Sequence, residues 1–428
     1  MDTVKISQLI GGRQTAGEAF KLLKLDDGME KLLSNPNFRT FMGFIDDYNV
    51  QNPGNGATVI KSVTATYGDD VAAAVLQRAT KVSATKVTAE KLLGDLRVLW
   101  LTDKRSPLDV FKLLKLDDVA TNPLDNAALD AWESYLNLFN YVNRESGKKI
   151  TELETFRAAY GGDDALAKML QQATKVSATK VNAEKLLGDL RVLWLTDKRP
   201  PLDVFKLLKL DDVATNPLDN AALDAWESYL NLFNYVNRES GKKITELETF
   251  RAAYGGDDAL AKMLQQATKV STTKEAARNL LRDQRNRWWG EKRTPLDVFK
   301  LLNLDKVASN PLASPALDVW NSYLKSFNYW SRGTGRETTT IDTFTAAYGD
   351  AALAKIINTA RTVPETEKMA TALQLQQFAL WMRKRGNPNN IYTHVFKLDP
   401  KLKTIPEPYQ TILNHYHSFY KQFIRDVK

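Results

Sequence analysis

Residues 87–180 carry three motifs in order: EKLLGDLRVLWL at 90–101, ALDAWESYL at 128–136 and AAYGGDD at 158–164. Between and around them the apolar residues recur at helical spacing. Leu92, Leu93, Leu96, Leu99 and Trp100 line one stripe; Leu129, Trp132, Leu136, Phe139 and Val142 line another. Ser106-Pro107 reads as an N-cap and first-turn pair, opening a short helix through Phe111 and Leu114. Thr151 and Glu154 fit a capping box for a helix ending at Tyr160. Gly161-Gly162 stops it, and Asp163 or Asp164 starts a fifth helix reaching about Thr174. No window alternates with period two, so no sheet is expected. Trp132 and Tyr160 are expected to meet in the core.

The whole stretch then repeats. Residues 181–274 match it with three differences: Thr88/Asn182, Ser106/Pro200 and Ala178/Thr272. A third, diverged copy keeps the period: Trp132, Trp226 and Trp320 are 94 apart, as are Tyr160, Tyr254 and Tyr348. Upstream, AFKLLKLDD (19–27) parallels VFKLLKLDD (110–118), with Phe41 in the tryptophan place and Tyr67 in the tyrosine place. Downstream, Trp381 stands for Trp100 and VFKLD (395–399) for VFKLLKLDD. Tyr409, Ile412 and Tyr416 then keep the spacing of Trp132, Tyr135 and Phe139. The expected units are therefore 1–86, 87–180, 181–274, 275–362 and a truncated 363–428. The fold expected is an all-α tandem array of helical bundles, an extended solenoid-like rod in which each repeat touches its neighbours.

These motifs resemble the WY and LWY repeat effectors of plant-pathogenic oomycetes (Phytophthora), the RXLR type. The resemblance covers nearly the whole chain, because leucine-rich helix, central tryptophan and pre-glycine tyrosine recur in order. It implies a WY-type first unit followed by LWY units. The L-motif helix of each LWY unit would dock on the preceding unit through Leu92, Leu93 and Leu96; Leu186, Leu187 and Leu190; and Leu280 and Leu281. The implied core residues are Phe41, Tyr67, Trp132, Tyr160, Trp226, Tyr254, Trp320 and Tyr348. It also implies secretion by the pathogen and action in the host cytoplasm or nucleus, suppressing immunity as a modular protein-binding scaffold. Some arrays of this kind recruit the host protein phosphatase 2A scaffold and catalytic subunits in place of a regulatory subunit. The signal peptide and Arg-x-Leu-Arg motif of the family are not in this sequence and are expected upstream of it.

Composition narrows the alternatives. The 428 residues are 43% hydrophobic and 26% charged, ordinary for a globular chain, and cysteine is absent. Disulfides, thiolate zinc sites and cysteine nucleophiles are excluded. No apolar run is long enough to cross a membrane. A net charge of +8 invites nucleic acid, but the five units carry +1, −1, −1, +4 and +5. The duplicated pair has no field to hold a phosphate backbone, so direct RNA binding by a silencing suppressor is the alternative reading. It would rest on the last third, where Arg383, Lys384 and Arg385 cluster.

The 275–362 unit deviates where docking is expected. Gly188, Leu190, Val192 and Leu193 become Arg282, Gln284, Asn286 and Arg287, and Leu195 becomes Trp289. A lone buried arginine is costly, so a wetter or re-angled junction is expected there. Arg282, Arg285, Arg287 and Trp289 form the candidate partner-binding set, since arginine and tryptophan anchor interfaces. A hydrolase is the remaining alternative. HExxH, GxSxG and P-loop motifs do not occur, and His415 and His417 point apart on a helix. The recurring Asp163-Asp164 and Asp257-Asp258 pairs read as helix caps. No enzyme activity, cofactor or metal is expected, and the chain is expected to be a monomer before joining a host complex.

Overall fold

The computed structural model describes the chain except residues 1, 55, 119, 120, 148, 213, 214, 242, 308, 309 and 428, and except the side chains at 2, 3, 385 and 424–427. Among the described residues there are helices and turns and no β-strand. In the second repeat the helices are Lys86–Thr102, Pro107–Leu113, Ala128–Val142, Glu152–Ala159 and Asp163–Ala173. Their counterparts in the third are Lys180–Thr196, Pro201–Leu207, Leu223–Val236, Glu246–Ala253 and Asp257–Ala267. The fourth has Lys274–Gly290, Pro295–Leu301, Pro315–Trp330, Thr340–Tyr348 and Asp350–Ala360. We name the five places opening, short, long, fourth and fifth helix.

Local chemistry explains these boundaries. Ser106 caps the Asp109 amide of the short helix while the Asp109 carboxylate accepts from the Ser106 amide, with Pro107 in the first turn. Thr151 and Glu154 form the same reciprocal box before the fourth helix. In the third repeat Pro200 replaces Ser106, and that side-chain cap is lost. Losing a cap costs about 1 kcal/mol. Proline recovers about 0.4–1 kcal/mol by restricting the unfolded chain, which explains why the change is tolerated. Gly161 and Gly162 adopt φ of 74° and 131°, conformations that let the chain turn sharply between fourth and fifth helices.

The chain divides into two compact units, residues 1–208 with 224–229, and residues 209–223 with 230–428. The division falls within the third repeat. In the first unit, the opening helix Lys86–Thr102 lies against Val59–Tyr67 and Asp69–Ala79 of the preceding repeat, and also against its own long helix. Lys180–Thr196 lies in the same way on Glu152–Ala159 and Asp163–Ala173. In the second unit, Lys274–Gly290 lies on Glu246–Ala253 and Asp257–Ala267. Each opening helix is thus shared between two repeats.

The last repeat corrects the expected register. Tyr416 donates to the Gly386 carbonyl at 2.5 Å and its ring meets Trp381 at 5.6 Å. Tyr135 does the same with the Arg105 carbonyl (2.5 Å) and Trp100 (5.5 Å). Tyr416 therefore holds the Tyr135 place, and Leu413, three residues earlier, the Trp132 place. The expected alignment was one helical turn off. Apolar residues spaced three and four apart look alike when slid by a turn, and only the tertiary partners separate the registers.

Candidate functional site

Six of the eight implied core residues are buried and two are half-buried. Phe41, Trp132, Trp226 and Trp320 are completely buried, Tyr160 and Tyr254 nearly so, and Tyr67 and Tyr348 are half-buried. The indoles are anchored as well as packed: Trp132, Trp226 and Trp320 donate to the carbonyls of Pro107, Pro201 and Pro295, each at 2.8 Å. The tyrosine hydroxyls reach the end of the short-helix segment. Tyr160 donates to Leu116 O at 3.2 Å and Tyr254 to Leu210 O at 3.3 Å; Tyr348 and Tyr67 donate to Leu304 O and Leu25 O.

The expected direct Trp132–Tyr160 meeting is replaced by a relay. Trp132 packs edge-on against Phe111 (5.0 Å) and Phe156 (6.0 Å), and Tyr160 stacks on Phe156 at 6.4 Å. In the first repeat Phe20 takes the intermediate place, 5.1 Å from Phe41 and 6.3 Å from Tyr67.

Leu92, Leu93, Leu96, Leu186, Leu187, Leu190, Leu280 and Leu281 are all buried on the opening helices. Beside them lies a polar link that the sequence reading assigned to capping. Trp100 Nε1 donates to Asp69 at 2.7 Å, Trp194 to Asp163 at 2.7 Å, Trp288 to Asp257 at 2.9 Å and Trp381 to Asp350 at 3.0 Å. The aspartate opens the fifth helix of one repeat, and the tryptophan belongs to the opening helix of the next. The same tryptophan rings pack edge-on against Tyr135, Tyr229 and Tyr323 of their own long helices at 5.4–5.5 Å. One side chain thereby ties two repeats. The constant Asp-to-Trp separation of 31 residues was the available signal.

A second aspartate strengthens the tie. Asp70 pairs with Lys115 at 2.6 Å, and Asp258 accepts from Asn303 at 3.2 Å. Lys115 and Asn303 sit just past their short helices with φ of 54° and 50°, the left-handed conformation that re-aims the side chain.

Two of the fourth repeat's polar substitutions, Gln284 and Arg287, reach Asp257, the first aspartate of its pair. Gln284 is fully buried and donates to Asp257 at 3.2 Å; Arg287 pairs with Asp257 (3.3 Å) and Glu291 (2.8 Å). Arg251 also holds Asp257 at 2.8 Å. Arg287 therefore has partners, which removes the ground for expecting a wetter junction. Trp289 packs on Trp330 (4.9 Å) and Phe327 (5.7 Å). Arg285 occupies the place of Arg97 and Arg191, and burial lowers the guanidinium pKa of all three. Of the candidate set, Arg282 is left open to solvent, its side chain 60% exposed. The basic cluster at 383–385 is described only in part, since the Arg385 side chain lies outside the described residues. Among the described residues no group of three or more His, Asp or Glu side chains is placed to hold a metal. His415 lies 2.9 Å from Arg361, and burial together with that cation lowers its pKa.

The chain is similar to known proteins over most of its length. The chain is 31% identical to the RxLR effector protein PSR2 of Phytophthora sojae over 378 residues, 88% of this chain and 56% of that protein. The protein of the same name from Phytophthora infestans is 31% identical over 376 residues, 87% of this chain and 48% of that one. The chain is a homologue of the Phytophthora RxLR effectors. Another RxLR effector of Phytophthora infestans is 28% identical over 409 residues and is covered for 76% of its length. The crystal structure of PcRxLR12 superposes with a TM-score of 0.53 at 27% identity, covering 98% of both chains. The all-α repeat architecture is thus that of a solved RxLR effector. No family model matches. This RxLR effector homologue spans about half the length of the two PSR2 relatives.

Proposed function

We propose that this chain is effector material: secreted by the pathogen, delivered into host plant cells, and active there as a non-catalytic scaffold that binds host proteins and suppresses immunity. The observation carrying this reading is the match to RxLR effector PSR2 across 88% of the chain. Repeat surfaces suit recruitment, because holding two proteins on one chain raises their effective concentration without new chemistry. The specific partner in this proposal is the host protein phosphatase 2A scaffold and catalytic subunits. Arg282 is the solvent-exposed member of the arginine set, 60% exposed at the side chain and 3.7 Å from Asp283, and it is the one proposed to reach them. Action in cytoplasm or nucleus fits a chain in which no described helix is long and apolar enough to cross a membrane.

Affinity purification of the tagged chain from plant tissue, followed by mass spectrometry, tests both levels. Phosphatase scaffold and catalytic subunits in the eluate are expected. Their absence, with other host proteins retained, removes the phosphatase and keeps the scaffold. Recovery of no host protein overturns the scaffold itself.

A further inference from the structure

At the junction of the second and third repeats a groove of about 660 Å³ runs between the long and fourth helices of one repeat and the opening helix of the next. Its apolar edge is Leu136, Leu193 and Val192, the last 56% exposed. Its charge is unbalanced. Lys185 pairs with Glu152 at 3.1 Å and also feels Asp189 and Glu133. Half-buried Glu133 stays easier to protonate than an ordinary glutamate, chiefly through burial, then through Glu152 and Asp130, and Lys185 only partly opposes this. Two lysines, Lys149 and Lys185, line the groove against four carboxylates, Glu133, Glu152, Glu154 and Asp189, so it keeps an excess of negative charge beside exposed Val192.

The groove is a product of the repeat, but its charge is not. In the second unit of the chain, the last junction forms a groove of about 560 Å³ in the same register. Leu324, Asn328 and Leu380 stand there where Leu136, Asn140 and Leu193 stand here. The polar positions are replaced: Asn321 for Glu133, Thr340 for Glu152, Gln376 for Asp189, and Lys325 and Arg383 for Asn137 and Thr196. The same floor has been kept while the sign of its rim reversed.

We propose that the groove lined by Glu133, Leu136, Asp189 and Val192 is a docking site for a basic amphipathic segment of a partner protein. Aliphatic side chains of the segment cover Val192 and half-buried Leu193, and its lysine or arginine groups neutralise Glu133 and Asp189. The inference rests on the protein-binding reading of the chain, and it assigns that binding a place and a chemistry.

The test uses the full chain and two labelled synthetic helical peptides, one of lysine and leucine, one of glutamate and leucine, followed by fluorescence anisotropy. The lysine peptide is expected to bind, and to lose about tenfold in affinity for Glu133→Gln/Asp189→Asn and again for Val192→Arg. Glu145→Gln, an exposed residue outside the groove, should leave binding unchanged. Unchanged melting temperatures for the variants exclude unfolding as the cause. Equal binding of both peptides, or equal binding by all variants, overturns the proposal. No host protein enters this measurement, so its failure leaves phosphatase recruitment standing; a purification that lacks only the phosphatase leaves the groove standing, and one that recovers no host protein removes the reading on which the groove rests.

Discussion

The indole Nε1 of Trp194 donates a 2.7 Å hydrogen bond to the carboxylate of Asp163, which is 2% exposed and belongs to the preceding repeat. Arg157 binds the same carboxylate at 2.5 Å. A buried acid is tolerable here because a cation and a neutral donor both face it. The link makes the repeat junction directional: leucines supply burial, and the Asp–Trp bond fixes the register in which they are buried.

Asp163→Ala should therefore destabilise the chain by about 1–3 kcal/mol, the cost of leaving buried donors unsatisfied. Asp163→Asn keeps an oxygen acceptor and should recover part of the loss. Urea denaturation followed by circular dichroism measures both. An Asp163→Ala midpoint equal to that of the parent would mean that the bond contributes nothing to stability.

Trp226→Ala removes a fully buried indole and its bond to Pro201 O. A loss of about 3–5 kcal/mol is expected from the cavity and the lost transfer energy. Thermal melting beside the parent reads it, and an unshifted transition would exclude Trp226 from the core.

Arg287 and Arg282 separate stability from surface charge. Arg287→Glu sets a carboxylate beside Asp257, 1% exposed at the side chain, and should cost about 1–3 kcal/mol. Arg282→Glu, at an open position, should stay within about 0.5 kcal/mol. Denaturant midpoints distinguish them. Equal midpoints would show that the Arg287–Asp257 pair does not stabilise the junction.

High pH should unfold the array through its tyrosines. Burial pushes the hydroxyls of Tyr135, Tyr160, Tyr229, Tyr254, Tyr323, Tyr348 and Tyr416 up to about 12. In the unfolded chain tyrosine ionises near ~10. The folded state thus favours the protonated form. Its stabilising contribution is complete below about pH 10 and is lost as pH rises through about 12. Tyrosinate absorbance and helical circular dichroism recorded together should show ionisation of the buried group coinciding with loss of helix. Complete tyrosine ionisation with the helix signal intact would refute the linkage.

Much of this was legible in the residues. Helical period, caps such as Ser106–Asp109 and Thr151–Glu154, and the Gly161-Gly162 stop are local signals, and local signals act within a few residues of where they are written. The 94-residue recurrence then turned one helical reading into an array. The Phe156 relay was hidden because a phenylalanine in an apolar stripe does not say which ring it touches. The aspartate pairs misled for a related reason. An acid in a first helical turn already has a local explanation, which concealed its longer-range partner.

The repeat sequence by itself determined an all-helical array with buried tryptophan and tyrosine, because burial and capping depend on side-chain type and spacing. Only the tertiary structure decided that Asp163 grips Trp194, that Asp257 absorbs Arg287, that Tyr416 holds the Tyr135 place, and that Glu133 and Asp189 edge one groove. Those choices join residues about 30 to 60 positions apart on different helices. Which carboxylate meets which donor there is set by how the helices pack, through desolvation and hydrogen-bond geometry that no single helix contains.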